Sequence, residues 1–373
     1  MWSCTQMRRS WPGWWCAPEH AISASTWRVM RIGILTGGGD APGLNAAVRA
    51  VVRSATAAGN PVVGVRNGWS GLLGDGDVVE VGRPEVAGIL QLGGTILGTS
   101  SRHSPLKSDG GCDQVVGNLR RHAIDTLVVI GGDGTLGIAA HFVERGEAVI
   151  GLPKTIDNDL SVTEYCIGFD SAVAVVAEAL DRLHTTAASH HRVMVVEVMG
   201  RATGWLGVVG GMAGGADMIV IPEVPVGPDE VVAHLEARRA AGSDFSIVVV
   251  SEGAQLPGLL PSAAEVGITD ELGRAQMSKR GVGERLAALI ESRTGWETRA
   301  TVLGHTQRGG SPSAYDRVWA TRLGAAAYTM AIEGHVGMVA VVRNGAIARA
   351  PIADVARQQP VSLDLYRLAR LFF

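Results

Sequence analysis

The sequence predicts an α/β protein built from two doubly wound, mainly parallel sheet domains. Short β-branched segments alternate with longer helix-like segments from Met30 onward, which is typical of parallel sheets covered by helices. The 50 glycines among 373 residues supply tight turns between strands and helices. Three loops rich in glycine or aspartate follow predicted strands. Ligands of such sheets bind at the carboxyl ends of strands, so we expect a ligand site there.

The strands are predicted where β-branched and apolar residues form short runs. They cover residues 31–36, 61–65, 126–130, 148–152, 192–198, 218–222, 245–251 and 299–303. Helix-like segments lie between them, at residues 44–58, 136–145, 171–184, 229–240 and 283–294. A change in composition near residues 165–170 marks the expected domain junction.

Composition excludes several classes of partner. The net charge of −3 and the absence of a long Lys/Arg run give no electrostatic footprint for nucleic acid or an anionic membrane. Apolar segments are strand-sized, far shorter than the roughly 20 residues of a membrane helix. The four cysteines have neither zinc-ligand nor disulfide-framework spacing, which fits a reducing cytoplasm. We expect a cytoplasmic protein with no nucleic-acid or membrane partner.

The first 29 residues differ in composition from the rest of the chain. They hold five of the nine tryptophans and two of the four cysteines, with no apolar periodicity. They also lack the continuous apolar segment and small-residue cleavage site of a signal peptide. We interpret residues 1–29 as a start-site artefact, with Met30 as the working start; a disordered extension is the alternative.

The first of the three loops is Gly37-Gly38-Gly39-Asp40, which connects a predicted strand to a helix. A helix N-terminus favours anionic ligands. The loop lacks the Gly-Lys-Ser/Thr of a P-loop, and no acidic residue follows a second strand as in a dinucleotide site. By itself it is either an anion-binding turn or a structural one.

The second loop is Gly131-Gly132-Asp133-Gly134-Thr135. Asp133 stands where a carboxylate can hold Mg²⁺ that bridges nucleotide phosphates, and the flanking glycines leave room for those phosphates. A cap on the following helix is the structural alternative. Kinases of NAD and of lipids share this loop, so it indicates the chemistry better than the substrate.

The third loop, residues 153–159, carries Asp157 and Asp159 two positions apart. In an extended segment both carboxylates point the same way. One can accept a proton from an attacking hydroxyl while the other supports the metal, a division that phosphoryl transfer requires. A solvated turn is the alternative. Together the three loops predict phosphoryl transfer at a nucleotide-phosphate and Mg²⁺ site.

The C-terminal half supplies arginines near predicted strand ends. Arg192, Arg201, Arg299 and Arg308 all have this placement. Arginine suits phosphate because its planar guanidinium makes bidentate, charge-assisted hydrogen bonds. Each alone could be an ordinary surface residue, but four at the strand ends of one sheet predict an anion site.

Five motifs together resemble the 6-phosphofructokinase family, over nearly the whole chain from Met30. They occupy residues 36–45, 131–135, 153–159, 196–201 and 304–310. The mixture of donor signals resembles the actinobacterial group with mixed ATP and pyrophosphate use. The resemblance implies a fold with the active site between two domains, and Mg²⁺-dependent phosphorylation of fructose 6-phosphate at its 1-hydroxyl, the committed step of glycolysis.

The resemblance also implies the division of labour between domains. Residues 30–168, with part of about 307–335, are expected to bind the donor nucleotide and Mg²⁺. Residues 169–306, with the C-terminal segment of about 336–373, are expected to bind the sugar phosphate.

Residue roles follow from the matched motifs. Asp157 resembles the base, with Thr155 and Arg201 assisting, and Asp133 and Asp159 resemble Mg²⁺ ligands. Donor contacts are implied for Gly39, Arg102, His103, Gly132, Asp133, Gly134 and Thr135. Substrate contacts are implied for Thr155, Ile156, Asp157, Arg192, Met199, Gly200, Arg201, Glu252, Arg299, His305, Thr306, Gln307 and Arg308. Because Arg192 and Arg299 match residues offered to a neighbouring subunit's substrate, the resemblance implies a homo-oligomer, dimer or tetramer, with active sites completed across subunits.

Two positions bear on the phosphoryl donor and they disagree. In this family a glycine at the position of Gly134 accompanies ATP, whereas an aspartate there would repel the nucleotide's α-phosphate. Lys154 instead resembles the pyrophosphate-dependent pattern. We favour ATP because a side chain at position 134 that excludes the nucleotide by its size and charge is a stronger constraint than the added cation of Lys154. Reversible pyrophosphate-dependent transfer is the alternative.

Two other functions fit the sequence less well. An NAD or lipid kinase would share the loop at residues 131–135 but leaves residues 155–159 and 305–308 unexplained. A non-catalytic sugar-phosphate-binding homologue would be expected to lose the base or a metal carboxylate, yet all three aspartates are present.

Overall fold

The computed structural model describes residues 29–100, 104–260 and 280–373. The interpretation of residues 1–29 therefore falls almost entirely outside the described part of the chain. Strands are β1 (Ile32–Thr36), β2 (Val62–Val65), β3 (Val78–Glu80), β4 (Thr126–Gly131), β5 (Val149–Pro153), β6 (Val193–Val198), β7 (Met218–Val220), β8 (Ser246–Ser251), β9 (Thr298–Val302), β10 (Met338–Arg343) and β11 (Ala346–Pro351).

Helices separate most of these strands. They are α1 (Leu44–Ala57), α2 (Gly111–Arg121), α3 (Asp133–Glu144), α4 (Phe169–His190), α5 (Trp205–Ala213), α6 (Pro228–Ala240), α7 (Val282–Thr294), α8 (Ala314–Ile332), α9 (Ile352–Val355) and α10 (Leu363–Ala369). Short 3₁₀ turns occur at Gly68–Leu72, Gly304–Arg308 and Arg370–Phe372. The α/β class with mainly parallel sheets is confirmed.

The first sheet has seven strands in the order β11-β10-β5-β4-β1-β2-β3. β1 lies between β2 and β4, parallel to both. From β1 the chain continues through α1 to β2, whereas from β4 it continues through α3 to β5 in the opposite direction. The strand order therefore reverses between β1 and β4, which is where open α/β sheets bind ligands.

The second sheet has four parallel strands in the order β7-β8-β6-β9. Its inner strands β6 and β8 are buried along their whole length. Strands covered on both faces are expected to be apolar throughout, which explains the β-branched runs seen in the sequence. The loops after β6, β8 and β9 leave the sheet at its carboxyl edge.

The C-terminal strands differ from expectation. β10 lies parallel to β5. β11 pairs with β10 in an antiparallel hairpin whose turn contains Asn344 and Gly345, with φ angles of 50° and 68°. Residues 338–351 thus extend the first sheet, although residues 336–373 were expected to belong with the second. α10 does lie against the second sheet, where the Tyr366 hydroxyl donates to the Ile219 carbonyl at 3.1 Å.

Three hydrophobic clusters form the core. The largest includes side chains of both sheets and of α1, α4, α5 and α8. Within β1, Ile32 and Ile34 face this cluster, while Leu35 faces a second cluster formed with α2, α3 and α9. A third cluster lies between the second sheet and α6 and α7. Each such side chain contributes roughly 1.5–3 kcal/mol to stability on burial.

A buried carboxylate fixes the junction between the two sheets. Asp316, in the first turn of α8, accepts hydrogen bonds from the Tyr165 hydroxyl, the Gly168 N–H at 2.6 Å, and the N–H and hydroxyl of Ser171 at 2.8 and 2.5 Å. The residue is fully buried. Because these donors satisfy the carboxylate, its burial is tolerated and the start of α4 is held against α8.

No helix within the described residues is both long enough and apolar enough to cross a membrane.

Candidate active site

The first loop packs directly on the second. The Gly37 N–H donates to the Ile130 carbonyl at 3.0 Å, which joins the ends of β1 and β4. A β-carbon at Gly37 would lie 2.7 Å from the Thr135 side chain, and one at Gly131 would lie 2.4 Å from it. Gly37 therefore has no room for a side chain where the first loop meets the second, and Gly131 has none because Thr135 of its own loop folds back against it.

Asp133 opens α3 at the reversal point of the first sheet. Its side chain is about 20% exposed, so it remains accessible to a ligand in the pocket. The indole N–H of Trp69 donates to the Thr135 carbonyl at 3.2 Å and fixes this turn from the side. Carboxylate, glycines and helix N-terminus together suit Mg²⁺-bound phosphate.

Lys154 is buried beneath the first loop. Its ammonium group donates to the Gly37 carbonyl at 2.9 Å and to the Gly39 carbonyl at 2.5 Å. Burial, and then the charges of Arg308 and Arg201, lower the pKa of Lys154 to about 7. Two of its three donors are thus used within the protein, where they hold the first loop in place.

Asp157 follows β5 at the floor of the pocket. Its N–H donates to the Thr155 hydroxyl at 3.1 Å, and its Oδ2 lies 3.4 Å from the same hydroxyl. The side chain is 3% exposed, and Oδ1 has no hydrogen-bond partner among the described residues. A buried carboxylate oxygen without a donor is costly unless a ligand supplies one.

Arg201 reaches this carboxylate from the second sheet. Its guanidinium lies 3.9 Å from Asp157 Oδ2 and 3.6 Å from Asp133 Oδ1. The residue has a φ of 52°, in the left-handed region that is strained for a residue with a β-carbon. Its N–H donates to Glu252 Oε1 at 3.1 Å, and a β-carbon at Gly253 would lie 1.8 Å from its carbonyl.

Glu252 therefore acts on the backbone of Arg201. It is buried after β8, and burial, followed by the charge of Asp157, raises the pKa of Glu252 to about 7. The strained conformation of Arg201 is stabilised by this carboxylate together with the glycine behind it. Glu252 was predicted as a substrate contact, whereas its hydrogen bond to the Arg201 N–H depends on the folded chain and has no signal in the sequence.

Arg308 closes the pocket from the turn after β9. It is 9% exposed and donates to the Asp40 carbonyl at 3.2 Å. A β-carbon at Gly39 would lie 2.7 Å from its guanidinium, so the first loop and Arg308 are in direct contact. In the same turn His305 and Thr306 are exposed, whereas Gln307 is fully buried.

These residues surround one open pocket between the two sheets. Its lining consists of Gly38, Gly39, Trp69, Ser100, Ser104, Gly132, Asp133, Gly134, Thr135, Ile138, Lys154, Thr155, Asp157, Arg201 and Arg308. Trp69, Ser104 and Ile138 were missed by sequence reasoning because neutral side chains outside a motif carry no chemical signal.

Several other predicted contacts are absent from this lining or fall outside the described residues. Ile156 is fully buried in the core, so its side chain cannot contact a ligand in the pocket. Met199 packs against the same cluster, beside the buried Gly200. Arg102 and His103 fall outside the described residues.

Arg192 and Arg299 differ from the prediction of one four-arginine site. Arg192 immediately precedes β6, and Arg299 pairs in register with Met194 near the beginning of β9. Both bind Glu297, at 2.7 and 2.6 Å. They lie at the amino edge of the sheet, a strand length of roughly 20 Å from the carboxyl edge that carries Arg201.

The sequence as a whole matches known proteins. A profile of the phosphofructokinase family matches residues 31–331. The chain belongs to the phosphofructokinase family.

Relatives in this family carry two different donor names. The pyrophosphate–fructose 6-phosphate 1-phosphotransferase of Amycolatopsis methanolica is 48% identical over 349 residues, which cover 92% of this chain and 100% of that protein. The ATP-dependent 6-phosphofructokinase of Corynebacterium efficiens is 48% identical over 315 residues, covering 84% and 90%. Membership of the phosphofructokinase family therefore leaves the donor open.

Solved structures of phosphofructokinases have the same fold. The Pichia pastoris phosphofructokinase in its T-state superposes with a TM-score of 0.76 at 34% identity over 94% of this chain, which spans 37% of that longer chain. The pyrophosphate-dependent phosphofructokinase of Marinobacter aquaeolei superposes with a TM-score of 0.77, at 23% identity, over 90% of this chain and 86% of that one.

The residues present fit Mg²⁺ in a phosphofructokinase site. The described residues contain no group of three or more metal-ligating side chains. Mg²⁺ bound to phosphates needs only one or two carboxylates, with water completing its coordination, and Asp133 is placed to supply one. Asp159 is 2% exposed, lies outside the pocket lining and accepts a hydrogen bond from Gln358 at 3.1 Å. Burial, followed by the charges of Asp157 and Asp133, raises the pKa of Asp159.

Proposed function

We propose that the protein transfers a phosphoryl group to the 1-hydroxyl of fructose 6-phosphate. The observation that supports this most directly is Asp157 Oδ1, a buried carboxylate oxygen at the floor of the pocket that has no donor in the described part of the chain. A substrate hydroxyl bound there would supply the missing hydrogen bond. Family membership and the naming of relatives for fructose 6-phosphate support this choice of acceptor.

The proposed mechanism assigns a separate task to each side of the pocket. Asp157 accepts the proton of the 1-hydroxyl as that oxygen bonds to the terminal phosphorus of the donor. The bond from this phosphorus to its bridging oxygen breaks, and the rest of the donor leaves as ADP from ATP, or as phosphate from pyrophosphate. Arg201, which faces both Asp157 and Asp133, stabilises the negative charge on the transferred group. Mg²⁺ held by Asp133 would neutralise the donor phosphates.

We propose ATP as the donor. Lys154 would favour pyrophosphate as an additional cation, yet its ammonium donates to two backbone carbonyls of the first loop. With its pKa lowered to about 7, the side chain also carries only part of a charge near neutral pH. Lys154 is therefore better suited to support the loop than to bind a diphosphate. Gly134, on the pocket wall, adds no carboxylate that would repel a nucleotide.

Pyrophosphate is the second candidate donor. Lys154 lines the pocket, and its third N–H remains to be satisfied by a ligand. Several relatives at 43–48% identity are named as pyrophosphate-dependent enzymes. An anion bound next to Lys154 would favour its protonated form and restore its charge.

The donor is tested by measuring fructose 1,6-bisphosphate formation with Mg²⁺ and either ATP or pyrophosphate. We expect turnover with ATP, and we expect Gly134→Asp to depress it selectively. Lys154→Gly should weaken turnover with either donor if the lysine supports the loop. Turnover with pyrophosphate alone, abolished by Lys154→Gly, would establish the second candidate and a reversible reaction.

We further propose that the enzyme acts in the cytoplasm as a homo-oligomer. Arg192 and Arg299 lie too far from Arg201 within one chain to share its ligand, and both remain partly exposed. A neighbouring subunit could place its substrate phosphate against them. In that arrangement each active site would be completed across a subunit interface.

A further inference from the structure

The chain between α9 and α10 crosses from the first sheet to the second. We term residues 357–361 the C-terminal strap. On the side of the first sheet, Ser161 donates its N–H to the Arg357 carbonyl at 2.9 Å, and Gln359 donates its N–H to the Asp159 carbonyl at 2.6 Å. The Gln358 amide donates to Asp159 Oδ2 at 3.1 Å. The strap thus pairs with the loop that begins two residues after Asp157.

The same strap also binds the start of α5, which follows β6 of the second sheet. The indole N–H of Trp205 donates to the Gln359 carbonyl at 3.1 Å. Val361 donates its N–H to Glu223 Oε1 at 2.9 Å, and that oxygen also accepts the Gly204 N–H at 2.9 Å. Gly204 and Trp205 follow Arg201 by only three and four residues.

One residue of the strap therefore contacts both halves of the site. The backbone N–H of Gln359 donates to the carbonyl of Asp159, two residues from Asp157, and its carbonyl accepts from the indole of Trp205, four residues from Arg201. The Asp157 and Arg201 side chains approach to 3.9 Å although they belong to different sheets. A misplacement of about 1 Å between catalytic groups costs up to roughly a hundredfold in rate, so a short link between their loops matters for turnover.

We propose that the C-terminal strap sets the position of Asp157 relative to Arg201, and that Gln358 is a positioning residue for phosphoryl transfer. The strap lies beyond residues 31–331, which the family profile covers. The inference rests on the proposed function. It concerns only how the two halves of the pocket are held together.

The first test replaces the amide of Gln358 while keeping its length. Gln358→Met removes the hydrogen bond to Asp159, and we expect kcat for fructose 6-phosphate to fall about tenfold or more with KM changed less than about threefold. Gln359→Met is the matched control because Gln359 bonds both halves through its backbone, so its activity should stay within about twofold. Thermal unfolding of each variant ensures that kcat is compared among folded proteins.

The second test acts on the other end of the strap. Trp205→Phe removes the hydrogen bond to Gln359 but keeps an aromatic side chain, and it should lower kcat in the same way. If one strap transmits both effects, the double variant should lose little more activity than the more impaired single variant.

The two proposals fail in distinguishable ways. If the unaltered protein forms no fructose 1,6-bisphosphate with either donor, the proposed function is wrong. If the unaltered protein is active but Gln358→Met matches Gln359→Met, or the two single effects simply multiply, the strap does not position the site.

Discussion

Asp157 is buried, has a carboxylate oxygen with no hydrogen-bond donor among residues 29–100, 104–260 and 280–373, and lies 3.9 Å from an arginine of the opposite sheet. Asp157→Ala should therefore lower turnover by several orders of magnitude while fructose 6-phosphate affinity changes less than about tenfold, since proton abstraction acts mainly in the transition state. Steady-state kinetics and substrate-binding titrations measure the two quantities. Asp181→Ala, at an exposed carboxylate on α4, is the control. Near-normal turnover of the Asp157 variant would remove that residue from the role of base.

Lys154 should make stability depend on pH. Its pKa is about 7 in the folded protein, against an ordinary value of 10.5, so between these pH values the unfolded chain holds a proton that the folded protein has released. Unfolding is then accompanied by uptake of a proton, so the free energy of unfolding rises with pH. From pH 7 to pH 9 the unaltered protein should gain about 2 kcal/mol relative to Lys154→Met, as measured by denaturant titration.

The control for the pH prediction is Arg83→Met, at an exposed cationic residue. Its stability relative to the unaltered protein should be the same at both pH values. A constant difference for Lys154→Met as well would show that the pKa of Lys154 keeps its ordinary value in the folded protein.

Individual residues show where sequence reasoning succeeds and where it fails. Asp133, Asp157 and Arg201 were all predicted, and the structure places them around one pocket because each follows the carboxyl end of a parallel strand. Arg192 and Arg299 were grouped with them because they also lie near strand ends. Both lie at the amino ends of their strands, whereas the pocket is formed at the carboxyl ends. Predicting an anion site therefore requires knowing at which end of the strand an arginine lies.

At the scale of elements, α3 offers a matched pair of glycines. Gly131→Ala, just before the helix, would place a methyl group 2.4 Å from Thr135 and should lower the free energy of unfolding by about 2 kcal/mol, with weaker donor binding. At Gly137, within the helix, a β-carbon would meet no described atom within 4 Å apart from its own chain neighbours and the nearby helix backbone, and Gly137→Ala should raise stability by roughly 0.5–1 kcal/mol. Denaturant titration checks both; equal effects would mean that the loop contact is unimportant.

The elements that the sequence analysis missed have physical reasons for being missed. α8 is buried against α1 on one side and against β5 and β10 on others, so its apolar residues form no single stripe. The β10–β11 hairpin did carry a recognisable signal, the Asn344-Gly345 pair between two apolar segments. No local pattern shows that β10 pairs with β5, because that contact joins distant parts of the chain.

At the scale of the whole molecule, the proposed shared active sites predict complementation between inactive subunits. Arg299→Ala removes a group that one subunit would offer to its neighbour, whereas Asp157→Ala disables the subunit's own base. Coexpressed in equal amounts, the two variants should recover up to about a quarter of the unaltered activity, because half of random pairs are mixed and each contains one intact site.

Two observations decide the complementation experiment. Each variant expressed alone should have little activity at a fructose 6-phosphate concentration that saturates the unaltered enzyme. A mixture no more active than the separate variants would mean that Arg299 serves its own chain or none.

The position of β10 has a consequence for how the protein is made. Ile150 of β5 pairs with Met338 of β10, so the outer edge of β5 stays unpaired until the ribosome has synthesised a strand that comes much later in the chain. Until then a nascent chain exposes an unpaired, strongly apolar strand, which is a template for aggregation. Messenger RNAs truncated shortly before the codons of β10 should therefore yield chains that aggregate or are degraded, and the cell obtains no partly active enzyme from them.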